Sequence, residues 1–199
     1  MKLIIVILAV ACVYDVSAKQ SDYVQWVSFD GTIPANVVEG TKASDGRQLY
    51  LARAFLSLDT SDPNWSGDEN QGYIVGPVEA GVLRLNASLP DFTYSITDNI
   101  EILTVVDGAT VEWVSTNTTL LPKWFDSDDY HPAHSNWHAM STINTTIYIA
   151  RIHDEDIGGT FGHIPVDTML YEDENLAYYA FGDDVRESEI FDLLLYYFK

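Results

Sequence analysis

The sequence predicts an all-β protein, built as two tandem antiparallel β repeats packed as a pseudo-symmetric pair. Three observations support this. Apolar runs are short and rich in β-branched and aromatic residues. Gly, Pro, Asn and Asp bound those runs. Landmarks from the first half of the chain recur in the second.

Taken in order, the expected strands are Tyr23 to Phe29, Gln48 to Leu56, Gly72 to Val75, Val82 to Asn86, Ile100 to Val106, Val111 to Ser115, Thr145 to Ile152, Ala177 to Phe181 and Ile190 to Phe198. Alternation is plainest in Thr145 to Ile152. There Ile147, Ile149 and Arg151 share one face, and Tyr148, Ala150 and Ile152 share the other. Turn residues separate the runs, as at Asp30-Gly31, Asp45-Gly46, Asp107-Gly108, Gly158-Gly159 and Gly182-Asp183. The last segment, from Glu187 to Lys199, also fits a short amphipathic helix. Tyr196-Tyr197-Phe198 favours the pleated state.

The recurring landmarks keep one order. Gln25-Trp26-Val27-Ser28 returns as Glu112-Trp113-Val114-Ser115. Leu49-Tyr50-Leu51-Ala52-Arg53 returns as Ile147-Tyr148-Ile149-Ala150-Arg151. Ile100-Glu101-Ile102-Leu103 returns as Phe191-Asp192-Leu193-Leu194. All three are offset by roughly 90 residues, which argues for a duplicated unit. The expected division is a leader over 1–18, one repeat over 19–108 and a second over 109–199. The second repeat carries an insertion near 120–142. A cleft between the copies is the natural place for a ligand.

Residues 1–18 have the form of a secretory signal peptide. Lys2 is followed by the apolar run Leu3 to Val13, and Val16-Ser17-Ala18 has the small-x-small form of a cleavage site. The run is too short to span a bilayer, so no membrane span is expected after cleavage. The expected location is secreted and extracellular. The leader contains the sole cysteine, Cys12. The mature chain would then lack disulfides, thiol catalysis and cysteine zinc sites. Asn64, Asn86, Asn117 and Asn144 each head an Asn-x-Ser/Thr sequon, a candidate glycan acceptor.

The chain carries 30 acids against 10 bases, for a formal charge of -20. A phosphate backbone rewards clustered Lys and Arg, so nucleic-acid binding is not expected. The acids are spread over both halves, which points to a neutral glycan or a basic protein partner.

The stretch Trp26-Val27-Ser28, Ile33-Pro34-Ala35-Asn36-Val37-Val38, Asp45-Gly46 and Leu49 to Ala54 resembles the DM9 repeat. The resemblance is close over Gln25 to Ala54 and looser in the second half. It implies tandem all-β repeats, often dimeric, in mannose-binding lectins and pathogen-responsive proteins. It also implies a sugar grip: an aspartate ten residues before the strand arginine, and a lysine in the turn after it. Here those positions hold Ala43 and Ser141, and Thr160 in the turn Gly158-Gly159-Thr160. The function the resemblance implies is a mannose-type, lectin-like recognition protein serving innate immunity, as members of that family do. The alternative is an extracellular structural or interaction module that has lost the family's sugar site.

Several residues are candidate ligand contacts. Trp124, Tyr130 and Trp137, in the insertion, could stack on a sugar ring. Asp45, Arg53 and Arg151 could supply polar contacts, although arginines inside strands are more often structural partners of acids. His131, His134 and His138 lie behind three aspartates and are weak metal candidates. Their spacing fits no closed metal motif, and Pro132 prevents a helix that would present them together. The acidic runs Asp154-Glu155-Asp156, Glu172-Asp173-Glu174 and Asp183-Asp184 lack an EF-hand pattern and read as solvated loops. No cofactor is implied. No nucleophile elbow, zinc-protease motif or phosphate-binding glycine loop occurs, so no enzymatic activity is expected.

Overall fold

The computed structural model describes residues 20–57, 71–89, 92–125, 127, 129–137, 146–166 and 176–197. Nearly all their regular structure is strand. The first half contains β1 (Val24–Ser28), β2 (Thr41–Lys42), β3 (Gln48–Ser57), β4 (Gln71–Val78), β5 (Leu85–Leu89), β6 (Phe92–Ile96) and β7 (Ile100–Val105). The second half contains β8 (Thr110–Asn117), β9 (Tyr130–Pro132), β10 (His134–Trp137), β11 (Thr146–Asp154), β12 (Gly158–Val166), β13 (Ala177–Phe181), β14 (Asp184–Ser188) and β15 (Ile190–Tyr197). A 3-10 turn covers Leu121–Trp124. No helix among the described residues is long and apolar enough to cross a membrane.

Strand order is the same in the two halves. The first sheet runs β1-β7-β3, with β4 on the far side of β3 and β2 on its start. The second runs β8-β15-β11-β12-β13-β14, with β9 on β15 and β10 on β11. All pairings are antiparallel. The halves differ beyond β4 and β12. Strands β13 and β14 continue their sheet, whereas β5 and β6 form a separate two-stranded ribbon.

Period-two alternation decides what each face meets. On β3, Leu49 and Leu51 enter a core shared by both halves, with Val24, Val38, Val75 and Leu103. Ile147, Ile149, Phe161, Leu194 and Tyr196 meet them from the second half. Ala52 and Ala54 point the other way, into a core closed by Leu85, Ala87 and Leu89 of the ribbon. Ala150, Ile152, Leu193 and Leu195 do the same in the second half. Each sheet is thus sandwiched, with the shared core in the middle. Each of these large apolar side chains contributes about 1.5–3 kcal/mol by burial.

Backbone contacts join the halves at the rim. Ser44 N–H donates to the Ile157 carbonyl at 2.7 Å, beside an Ala43–Gly158 bridge. Trp113 Nε1 donates to the Glu39 carbonyl at 2.9 Å. Gln20 exchanges two hydrogen bonds with the His134 backbone, at 2.8 and 2.9 Å.

Several elements depart from the sequence expectation. Strand β4 extends to Val78, and β5 begins only at Leu85, because residues 79–84 form the turn between them. Gly158-Gly159 opens a nine-residue strand as well as marking a turn. The insertion contributes two short strands that pair with β15 and β11. The final segment is a strand, not a helix, because it lies between β8 and β11 with both faces covered.

Candidate functional site

The repeated landmarks converge. In the first half Arg53 pairs in register with Glu101, and its Nε donates to Glu101 Oε2 at 2.7 Å. Its guanidinium carbon lies 4.5 Å from the Trp26 ring centre and 3.9 Å from that of Tyr73. A second donor reaches across to the Ser135 carbonyl at 2.9 Å. Burial lowers the proton affinity of this guanidinium, and Glu101 partly restores it.

The second half repeats the arrangement. Arg151 pairs in register with Asp192 and bonds it at 2.8–2.9 Å, with its guanidinium 4.8 Å from the Trp113 ring centre. Ser115 Oγ donates to the same carboxylate at 2.6 Å, and His153 Nε2 lies 3.4 Å away. Burial alone would raise the Asp192 pKa. Ser115, Arg151 and His153 outweigh it and hold the carboxyl below its usual range. Both arginines therefore have acid and aromatic partners on the faces that pack the halves together. Their geometry is that of fasteners between strands.

A separate cleft of about 590 Å³ opens at the junction of the halves. Ala43, Ser44, Arg47 and Glu79 form one wall. Asn86, Thr93, Tyr94 and Ser95 of the ribbon form a second. Ile157, Gly159, Thr160 and Asp183 of the other half close it. Asp45, just behind the wall, fixes Arg47: its Oδ2 accepts from Nε at 2.6 Å and its Oδ1 from the Arg47 N–H at 3.1 Å. Arg47 also donates to Glu79 Oε1. That clamp raises the Arg47 pKa, mainly through Asp45, and lowers that of Asp45. Partial burial raises the Tyr94 pKa, so its hydroxyl stays neutral and can donate or accept. The cleft thus offers a fixed cation, carboxylates on opposite walls, hydroxyls, an amide and one aromatic ring. Ala43 and Thr160, from opposite halves, both line it.

The wall at 154–158 is held rigid by one carboxylate. Asp154 Oδ1 accepts from the N–H groups of Asp156 and Ile157 at 2.7 and 3.1 Å. Its Oδ2 accepts from the Tyr179 hydroxyl at 2.6 Å and Arg186 at 2.9 Å. Burial would raise the Asp154 pKa, but these bonds prevail and hold it at about 2. Its folded value lies below the ordinary carboxylate value. Its contribution to stability is therefore present above the ordinary range and lost as pH falls through about 2. Asp154→Asn is expected to destabilise the protein by about 1–2 kcal/mol near neutrality, after allowance for solvent screening. The gap to the parent should shrink steadily below pH 4, which urea melts at several pH values would show.

The other expected contacts lie elsewhere. Trp124 Nε1 donates to Thr116 Oγ1 at 2.8 Å, and Trp124, Tyr130 and Tyr197 form a chain of rings on the second half's own core. His131 packs edge-on to Tyr196 within β9, and the His134 ring edge-on to Tyr148. Among the described residues, no three His, Cys, Asp or Glu side chains are grouped to hold a metal ion. Asn117 Oδ1 accepts the Leu120 N–H at 2.9 Å, at the end of β8. The expected leader 1–18, Asn64, Asn144, Ser141, His138, the run 172–174 and the Trp137 side chain lie outside the described residues.

Arg47, Glu79 and Tyr94 carry no motif in the sequence, and Asp183 reads there only as part of a turn and a solvated acidic run. The turns Asp45-Gly46 and Gly182-Asp183 were the signals near them, the first because it aims Asp45 at Arg47. Fold and site together define an all-β protein of two large sheets and a two-stranded ribbon, with a polar cleft between its halves. No protein-family model matches the chain, and no curated protein matches it.

Proposed function

We propose that this is a secreted recognition protein of the DM9-repeat type, which seats a neutral, hydroxyl-rich sugar in the cleft between its halves. One observation carries the proposal. Ala43 and Thr160, where the resemblance implies a sugar grip, come from opposite halves to one cleft. Arg47, clamped by Asp45, offers there a donor, and Glu79 beside it an acceptor, the pair that positions 43 and 160 lack. Tyr94 offers a ring against which a sugar can pack. The overall charge of -20, with carboxylates on both walls, disfavours sialylated or uronic sugars.

A second reading, an extracellular structural or interaction module, is favoured by the two arginine centres. Both have protein partners, so the most strongly repeated feature of the chain serves its architecture.

A glycan array of the Ser88→Ala protein, which lacks the Asn86 sequon, read with and without calcium, separates the two. The expected result is retention of neutral mannose-type glycans and no retention of acidic ones. Arg47→Ala or Asp183→Asn should weaken binding by about tenfold or more, the loss of one charge-assisted hydrogen bond. Absence of binding at millimolar mannose would leave only the structural reading.

A further inference from the structure

We propose that the sequon Asn86-Ala87-Ser88 carries an N-linked glycan whose root fills the inter-half cleft, so that the protein's own sugar chain competes with an external ligand. This rests on the sugar-cleft reading and on entry into the secretory pathway. It deepens that reading by assigning the cleft a covalent regulator.

Strand alternation sets the direction of the attachment. Leu85, Ala87 and Leu89 are buried in the first half's core. Asn86 and Ser88 occupy the opposite face of β5. Asn86 is exposed, and its register partner is Ser95; the partner of Ser88 is Thr93. Asn86, Thr93 and Ser95 all line the cleft, with Asp183 on the wall contributed by the other half. A group attached to Asn86 Nδ2 therefore emerges inside the cleft. Its volume of about 590 Å³ suits a ligand of drug-like size, and the first sugars of an N-linked chain are of that order. They are also neutral and hydroxyl-rich, which the walls favour. Asn117 differs, since it does not line the cleft and its side-chain oxygen caps a turn.

The attachment must precede folding. Ser88 is buried, and its Oγ finds no hydrogen-bond partner among the described residues. A transferase that reads the sequon hydroxyl cannot reach it once β5 has packed. The donor is a polyprenyl-diphosphate-linked oligosaccharide. Asn86 Nδ2 attacks the anomeric carbon and loses one proton. The new N–C bond replaces the C–O bond to the diphosphate, which leaves on the lipid.

The test uses the full chain secreted from insect cells. Cys12 is the only cysteine and lies in the leader, so Asp183→Cys places a single thiol on the far wall. Ser88→Ala removes the sequon and keeps Asn86; Asn86→Gln is the second comparator. Peptide mass spectrometry is expected to find Asn86 occupied. Maleimide labelling of Asp183→Cys is expected to be several-fold slower in the occupied protein than with Ser88→Ala added. An unoccupied Asn86, or equal labelling rates in occupied and sequon-free protein, would overturn the proposal. Sugar binding is then measured on Ser88→Ala alone. Slow labelling of the occupied form with no sugar binding by Ser88→Ala would sink the recognition reading and leave the gating intact. Sugar binding with equal labelling rates would do the reverse.

Discussion

Arg53→Ala should lower folding stability by about 3 kcal/mol, the low end for breaking a buried ion pair from one side, because Glu101 keeps partial contact with solvent. Three losses combine. Glu101 loses its partner, the Ser135 carbonyl loses a donor across the halves, and the rings of Trp26 and Tyr73 lose the guanidinium that packs on them. Replacing Arg53 and Glu101 together with methionines should cost far less, because no charge is stranded. Urea unfolding of the single and double variants measures both. Arg151→Ala carries a pH signature as well. In the parent, Asp192 is held low by Ser115, Arg151 and His153 against the effect of burial. Its contribution is present above the ordinary carboxylate range and fades as pH falls below it. Without Arg151, burial meets less opposition and the carboxyl takes up its proton at higher pH. The defect should be largest near neutrality and shrink in acid.

Gly76→Ala and Gly162→Ala should each cost about 3 kcal/mol or more, the upper range for overpacking a well-filled interior. A Cβ on Gly76 would overlap the Asn86 carbonyl of β5, and one on Gly162 would overlap the Tyr178 carbonyl of β13. The obstacles are backbone atoms, so no rotamer change relieves them. Gly76 pairs with Ala52 on β3, and Gly162 pairs with Ala150 on β11. The two halves thus use one device at one register, a missing side chain that lets the next strand approach closely. Thermal unfolding should show a large drop for both. Gly46→Ala should be mild by comparison, since a Cβ there meets no atom within 4 Å, although its φ of 86° adds some backbone strain.

Much of this architecture was legible in the chain. The alternation of Ile147, Ile149 and Arg151 against Tyr148, Ala150 and Ile152 matches the two cores that β11 separates. Trp26, Arg53 and Glu101 recur as Trp113, Arg151 and Asp192 because each trio is a local packing unit. What stayed hidden is short or polar. Strand β2 is two residues long, and β14 is an edge strand whose Asp, Arg and Glu carry no apolar period. Gly158-Gly159 read as a turn because glycine usually breaks strands. Here a Cβ at either position would collide with the opposite half. The cleft was hidden for a different reason. Arg47, Tyr94 and Asp183 lie far apart in the chain, on a loop, a ribbon and a hairpin turn, and nothing in their spacing ties them together. The aromatic insertion stood out instead, yet Trp124 and Tyr130 pack on the second half's core.

The proposed sugar site lies at the junction between the halves. Amide NMR of the Ser88→Ala protein, titrated with a neutral mannose oligosaccharide, tests it most directly. Saturable shifts are expected at 43–47, 93–95, 157–160 and 180–183, with little change at Arg53 and Arg151. Shifts confined to the Trp124–Trp137 insertion, or none at millimolar sugar, would contradict it.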